Sequence, residues 1–393
     1  MALAVGLALA HAAVIFSLVA SSSSDNSLFG CFDSIVSFGG SLSDTGNDLA
    51  PELLLGHCFS TNLPYGRTYF HRPTGRFSDG RLVIDFIAQS LGLPLLKPYF
   101  PESDKDSAQR RRSFSTGVNF AVSGASVLPY EFYKKMGCLD MSTNVSLGTQ
   151  MEWFRTFLAG LPDGSKYLER SLVILGPIGS NDYSHLLLSG KSTLDQMELL
   201  ALEIVSHIES TIQELIKLGA VTILVPGNLP DGCKPATLFY YEKSCTPDDY
   251  DSQNGCLYWY NEHFRRHNKL LQKELQRIRE LHPHVNIVYV DYYNNAMQMY
   301  LAPNQFGFGN QTLRSCCGAG GTYNYNPDKQ CGSSPQVTCC RDPAEYISWD
   351  GVHYTEAANR LLAQGLLQGP YADPPFSTIC LNSALNPRAF SGY

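Results

Sequence analysis

Short, nearly continuous apolar runs recur along the chain and predict buried strands. They are Ser34–Phe38, Gly117–Val122, Leu172–Leu175, Val221–Val225 and Val285–Val290. Runs that are apolar throughout, rather than at alternate positions, suit parallel strands covered on both faces. Between the third and fourth runs, Leu194, Met197, Ala201, Ile204, Val205, Ile208, Ile212 and Leu215 recur at helical spacing, and Ser192 with Asp195 gives a capping-box-like start. A second helix is predicted over roughly 257–281, with Lys, Arg and Glu dense on its outer face. Alternating strands and helices without a repeat or a low-complexity linker predict one α/β domain with a five-stranded parallel sheet. In such sheets ligands sit at the carboxyl ends of strands, so the Gly-rich, polar segments after the first three runs are expected to converge there.

The amino-terminal segment changes the compartment. Met1 to Ala20 is apolar apart from His11 and Ser17, and Ser21 to Ser24 break the run. A secretory signal peptide over residues 1–22 fits this pattern. The run lacks an early Lys or Arg and is nearly long enough to span a bilayer, so an uncleaved, lumen-facing anchor is the alternative. Either route places the rest of the chain in the secretory pathway: secreted, or held in the Golgi lumen or vacuole. The expected division is a signal at 1–22, a single domain over 30–370 and a C-terminal tail at 371–393, with no later membrane span. The chain is expected to be a monomer. At 393 residues, 44% hydrophobic and 17% charged, it has ample material for a sizeable core. A net charge of -7 with no basic stripe leaves no footprint for nucleic acid.

Twelve cysteines agree with an oxidising compartment. Five lie between Cys316 and Cys340. Their spacing lacks the paired knuckles of a zinc site, so disulfides are expected, with the pairing open. Asn144-Val145-Ser146 and Asn310-Gln311-Thr312 are glycosylation sequons in a secreted chain. His263 and His267, four apart beside Glu262, lack the order of a zinc-protease helix and read as polar helix-face residues. No metal site is expected.

The candidate chemistry is acyl transfer. Gly39-Gly40-Ser41 follows the first strand, and two glycines allow a tight turn that presents the Ser41 hydroxyl at the strand's carboxyl end. A serine hydroxyl needs a base to take its proton. Asp350-Gly351-Val352-His353 offers His353 as that base and Asp350, three residues before it, to fix the ring in one tautomer. Gly124, after the second run, and Asn181, after the third, offer a backbone N–H and a side-chain amide beside the Ser41 N–H as oxyanion donors. Taken singly, each of these segments is equally an ordinary structural turn.

Together they resemble the plant GDSL esterase/lipase family, a branch of the SGNH hydrolases, over roughly residues 32–367. Phe38 to Asn47, Gly117 to Ala125, Gly179 to Tyr183 and Ser348 to His353 resemble four of the family's blocks in the family's order. Pro73 to Arg81 and Val225 to Cys233 look like plant-type segments. The resemblance implies a three-layer α/β/α sandwich. It also implies Ser41 as nucleophile, His353 as base, Asp350 as its orienter, and Ser41, Gly124 and Asn181 as the oxyanion hole, with no metal or organic cofactor. The first block usually reads Gly-Asp-Ser, and Gly40 stands where the aspartate is expected. That residue is expected to support the turn, so Gly40 is expected to loosen it. The implied activity is hydrolysis of a small-molecule or polysaccharide ester, short-acyl, specialised-metabolite or cell-wall esters ahead of long-chain triglyceride. An acyltransferase using the same acyl-enzyme and a non-catalytic binding glycoprotein are the alternatives.

Overall fold

The computed structural model describes residues 31–50, 59–100, 112–138, 141–188, 190 and 194–379. The targeting segment, Ser192 and the end of the C-terminal tail lie outside the described residues. Strands β1 (Ser34–Phe38), β2 (Gly117–Asn119), β3 (Ser171–Leu175), β4 (Thr222–Pro226) and β5 (Asn286–Val290) answer to the five apolar runs. All five pair in parallel. A short hairpin, β6 (Cys317–Gly318) with β7 (Thr338–Cys339), stands apart from the sheet. The sheet is six-stranded rather than five-stranded, in the order β2-β1-β3-β4-β5-β8. Its last member, β8 (Ala372–Asp373), runs antiparallel to β5 and comes from the region expected to be tail. The second run is strand only to Asn119. Beyond it, Phe120 and Val122 still donate backbone hydrogen bonds to Ser37 and Gly39 (2.8 and 3.1 Å), which carries β2's continuation alongside the Ser41 turn.

The helices are α1 (Val83–Ser90), α2 (Tyr130–Lys135), α3 (Leu147–Ala159), α4 (Gly164–Glu169), α5 (Ser180–Leu188), α6 (Leu194–Lys217), α7 (Pro235–Tyr241), α8 (Tyr258–Leu281), α9 (Tyr292–Leu301) and α10 (Glu356–Leu367). Alternate strand residues point to opposite faces, and both faces are buried. Val36, Phe38, Val173, Ile223 and Ile287 pack with residues of α3, α6 and α8 such as Phe154, Ile208 and Leu271. Ile35, Leu172, Ile174, Leu224 and Val288 pack with α1, α9 and α10 through Phe86, Met299 and Leu362. This is an α/β/α sandwich. Because both faces are filled, the strand ends are where polar side chains gather.

Disulfides join Cys233–Cys256, Cys316–Cys340 and Cys317–Cys331, with S–S distances of 2.02, 2.00 and 2.02 Å. The last two staple the segment beside the Asp350–His353 loop: Cys316 and Cys317 donate backbone hydrogen bonds to the carbonyls of Ser348 and Trp349 (2.9 and 2.7 Å). His263 and His267 do not lie on an outward polar face. Both are buried against Tyr183, whose hydroxyl bonds His267 Nδ1 at 2.6 Å. Burial first, then Arg266 beside His263 and His263 beside His267, lowers them to about 4 and 3.

Candidate active site

Ser41 stands on a turn held from several sides. Phe38 ends β1 with its ring against Phe120 (5.5 Å) and Phe154 (5.2 Å). The buried Gln150 on α3 grips the next residue twice. Gly39 N–H donates to Gln150 Oε1, and Gln150 Nε2 donates to the Gly39 carbonyl, both at 2.9 Å. Ser43 and Asp44 donate their N–H groups to the Gly40 carbonyl at 3.0 Å, closing the turn around Ser41. The Asp44 carboxylate accepts from the N–H groups of Gly46 (2.8 Å), Asn47 (2.7 Å), Asp48 (3.3 Å) and, in the loop after β2, Ser123 (2.9 Å). Asn119 Nδ2 donates back to the Ser43 carbonyl at 2.6 Å. The loops after β1 and β2 are thus one cross-linked unit. Burial, then the charge of Asp48, pushes Asp44 up to about 7 in spite of the backbone donors.

The second half of the site is a tight loop before α10. Asp350 Oδ1 accepts from the N–H groups of Val352 (2.9 Å) and His353 (2.8 Å). Its Oδ2 accepts from His353 Nδ1 (2.7 Å) and the Tyr65 hydroxyl (2.8 Å). Burial alone would raise this carboxyl. The charge of His353 and the hydrogen bonds from His353 and Val352 outweigh it and hold Asp350 at about 2. An ionised carboxylate only accepts, so Nδ1 carries a hydrogen, and in the tautomer this fixes Nε2 is left as the acceptor. That Nε2 lies 2.8 Å from Ser41 Oγ, which donates to it. Phe77 covers the imidazole with ring centroids 4.6 Å apart.

The donor side comes from the ends of β2 and β3. Gly124 has φ +75°, and a Cβ there would stand 2.0 Å from Ser142 Oγ, so a side chain at this position would be strained and would displace Ser142. Asn181 opens α5 and spends one amide hydrogen on the Ala125 carbonyl at 2.9 Å. Its neighbour Asp182, buried and pushed up by burial to about 6, accepts from the N–H groups of Val127 (2.9 Å) and Leu128 (3.0 Å) and from the Tyr133 hydroxyl, fixing the loop that carries Gly124. Among the described residues, no group accepts a hydrogen bond from the backbone N–H of Ser41 or of Gly124. Ser41, Asn181 and His353 line one cleft with Gly40, Asn228, Asp231 and Lys234, and Gly124 adjoins it through Ala125. Asn144 and Asn310 are exposed and outside it.

This arrangement has relatives. The model of the GDSL-like lipase/acylhydrolase family matches residues 35–366. The chain belongs to that family. It is 44% identical to a GDSL esterase/lipase of Arabidopsis thaliana over 90% of this chain and 86% of the relative, and 45% identical to another over 90% of each. It is also 44% identical to the sinapine esterase of Brassica napus over 90% of each chain. Membership makes the protein a carboxylic-ester hydrolase.

Within this GDSL hydrolase the glycine at position 40 has a definite environment. A Cβ there would meet Asn181 Nδ2 at 3.2 Å and the Ala125 carbonyl at 3.9 Å. A side chain at 40 would therefore face the Asn181 amide. The turn itself is held by Gln150 and the Gly40 carbonyl, so the loosening expected from Gly40 has no counterpart in the hydrogen bonds. The plant-type segment also finds its tasks. Arg76 forms a bidentate, buried pair with Asp85 (2.8 Å to each oxygen) and donates to the Thr45 carbonyl (3.1 Å), tying α1 to the Ser41 loop. Arg81 pairs with Glu356 at 2.7 Å, and Asp79 caps Glu356 N–H at 2.8 Å, tying the same segment to α10 behind His353. Tyr65 and Gln150 are neighbours of the site that sequence reading missed, and no residue spacing marks them; Phe77 lies in the plant-type segment, but its place over the imidazole was not read from it. Among the described residues, Cys317, Cys331 and Cys339 alone bring three metal-type ligand atoms together, within 4.8 Å, and two of these sulfurs are joined in a disulfide.

Proposed function

We propose that this GDSL hydrolase works through a covalent acyl-enzyme on Ser41. His353 takes the Ser41 proton as the hydroxyl attacks the ester carbonyl, and returns it to the departing alcohol. A water deprotonated by the same Nε2 then releases the acid. Asp350 keeps the imidazole in the tautomer that accepts. The N–H groups of Ser41 and Gly124 and the free amide hydrogen of Asn181 receive the oxyanion, each such donor contributing about 2.7–4 kcal/mol. The observation that carries this reading is the unbroken chain Ser41 Oγ, His353 Nε2, His353 Nδ1, Asp350 Oδ2, with links of 2.8 and 2.7 Å.

The free space in the cleft beside Ser41 is about 30 Å³, which favours compact groups and therefore short-acyl or small-alcohol esters over triglyceride. Three disulfides among the described residues, two exposed sequon asparagines and the apolar amino terminus favour entry into the secretory pathway. Among the described residues no helix is long and apolar enough to cross a membrane. The test is hydrolysis of a p-nitrophenyl ester series, acetate to palmitate, and labelling by a fluorophosphonate, for the native chain and Ser41→Ala. Activity and labelling are expected in the first and absent in the second, with the optimum at short chains; sinapine belongs in the panel because a relative bears its name. Full activity in Ser41→Ala would sink the assignment.

A further inference from the structure

The cleft beside Ser41 holds polar groups that ester hydrolysis does not use. Asn228, two residues after β4, is 2% exposed. Its backbone is held by Asn268, through N–H to Oδ1 at 2.7 Å and Nδ2 to the carbonyl at 2.8 Å. Its own side-chain Oδ1 and Nδ2 are buried and have no partner. A buried amide left unpaired is costly, so such a group is retained where something else completes it. Asp231 and Lys234 line the same cleft, with Nζ to Oδ1 at 2.7 Å and side chains only 5% and 11% exposed. The Ser180 hydroxyl donates to Asp231 Oδ2. An ammonium has three hydrogens to donate, and Asp231 Oδ1, although 2.7 Å away as an ion-pair partner, accepts no hydrogen bond.

The chemistry of this set selects its ligand. The ion pair is neutral as a unit: an anion would meet the Asp231 carboxylate and a cation the Lys234 ammonium. Among the described residues the apolar lining is Leu42, Pro177, Ile178, Leu229 and Val352, and no aromatic cage for a quaternary ammonium stands in the cleft. What the set offers is donors and acceptors side by side, the complement of a hydroxyl group, which is both. The free space of about 30 Å³ admits roughly two water-sized groups. Lys234 immediately precedes α7, and Ala236 N–H donates to the Gly351 carbonyl at 2.9 Å, which anchors this wall to the His353 loop. His353 is where the departing alcohol receives its proton.

We propose that Asn228, Asp231 and Lys234 form a subsite for the hydroxyl groups of a polyol on the alcohol side of the ester. The substrate class is then a partially acylated polyol, a sugar or a glycerol. This rests on Ser41 and His353 acting as assigned above. The deciding comparison is 1-monoacetylglycerol against propyl acetate, which has the same carbon skeleton without the two hydroxyls, together with a methyl xyloside carrying one acetyl group. Acid release is followed for the full chain, for Asn228→Ala, and for the charge-neutral double variant Asp231→Asn with Lys234→Met. The native chain should favour the hydroxylated esters, and each variant should reduce that preference about tenfold, the worth of roughly one hydrogen bond to a charged group, mainly through KM. The better of the two hydroxylated esters assigns the source as sugar or glycerol. No preference in the native chain, or a preference unchanged in both variants, overturns the proposal. So does an equal loss on propyl acetate.

Calorimetry with Ser41→Ala separates this from the catalytic assignment. Saturable heat with 1-monoacetylglycerol or the acetylated xyloside, removed by the double substitution, supports the subsite even where turnover fails. Absence of heat with both esters overturns it.

Discussion

Tyr65→Phe removes one oxygen atom and tests how the Asp350–His353 pair is held. The Tyr65 ring stays in place, because it packs on Phe77 and Trp349 with centroids 5.9 Å from each. What is lost is the 2.8 Å hydrogen bond to Asp350 Oδ2, the oxygen that also receives His353 Nδ1. Tyr65 is 3% exposed, so water does not substitute readily. A hydrogen bond to a charged acceptor contributes about 1.5–3 kcal/mol. That amount is expected in the unfolding free energy. The Asp350 carboxyl, at about 2 with the phenol present, rises but stays ionised at neutral pH. Catalysis is therefore not abolished as it would be by loss of the carboxylate, which lowers kcat by about 10⁴ in a comparable triad. If half of the lost energy falls on the orientation of the imidazole, kcat drops roughly three- to tenfold, since about 1.4 kcal/mol is one decade. The hydroxyl also neutralises part of the Asp350 charge. The assay is kcat and KM on p-nitrophenyl acetate for both proteins, beside a denaturant titration. A lower stability with an unchanged kcat would refute the positioning role and leave Tyr65 as packing only.

Gln150→Leu leaves the buried N–H and carbonyl of Gly39 without partners, at about 1–3 kcal/mol each, so a clear fall in Tm with a larger fall in kcat is expected; a Tm within error of native would show that the clamp is dispensable. Gly40→Ala brings a methyl to 3.2 Å from Asn181 Nδ2 and displaces that amide by a few tenths of an ångström. Its kcat should fall, but by less than the roughly 10²–10³ of losing an oxyanion donor, and an unaltered kcat would mean that Asn181 is not a donor. Burial first, then Asp48 or Glu356 where they adjoin, raises Asp44, Asp79 and Asp182 to about 7, 6 and 6. Each holds its proton more tightly folded than unfolded, so the stability they bring is complete below about pH 4, the ordinary carboxyl range, and is lost as pH rises through 6 to 7. Tm at pH 5 should therefore exceed Tm at pH 8, and calorimetry showing a flat or rising trend would contradict this.

The strands were legible because both faces of the sheet are covered, which makes each run apolar at nearly every position, and α6 because its buried stripe keeps helical spacing. Ser41 and the Asp350–His353 pair were legible because their chemistry is local, fixed by offsets of a few residues. What escaped depends on distance along the chain or on ordinary residue types. Tyr65 reaches Asp350 across 285 positions and Gln150 reaches Gly39 across 111, and neither a tyrosine nor a glutamine announces such a partner. On α8 the buried face itself carries Asn261, His263, His267 and Asn268, so a count of polar positions assigns to solvent residues that face inward. Strand β8 is too short for any periodicity to register.

That two-residue strand has a consequence for the chain in a crowded compartment. β5 would otherwise end the sheet with a row of unpaired backbone donors and acceptors, the kind of template on which a second chain adds and aggregates grow. Ala372 and Asp373 cover Val290 and Tyr289 from the side, and Arg279 fastens Asp373 with an ion pair of 3.0 Å. The polarity of β8 also breaks the series, because an antiparallel rim two residues long gives an incoming parallel strand nothing to extend. Residues 372–373 thus act as a chain terminator for the sheet, and a protein clipped before them would keep its catalytic groups while exposing a surface suited to self-association.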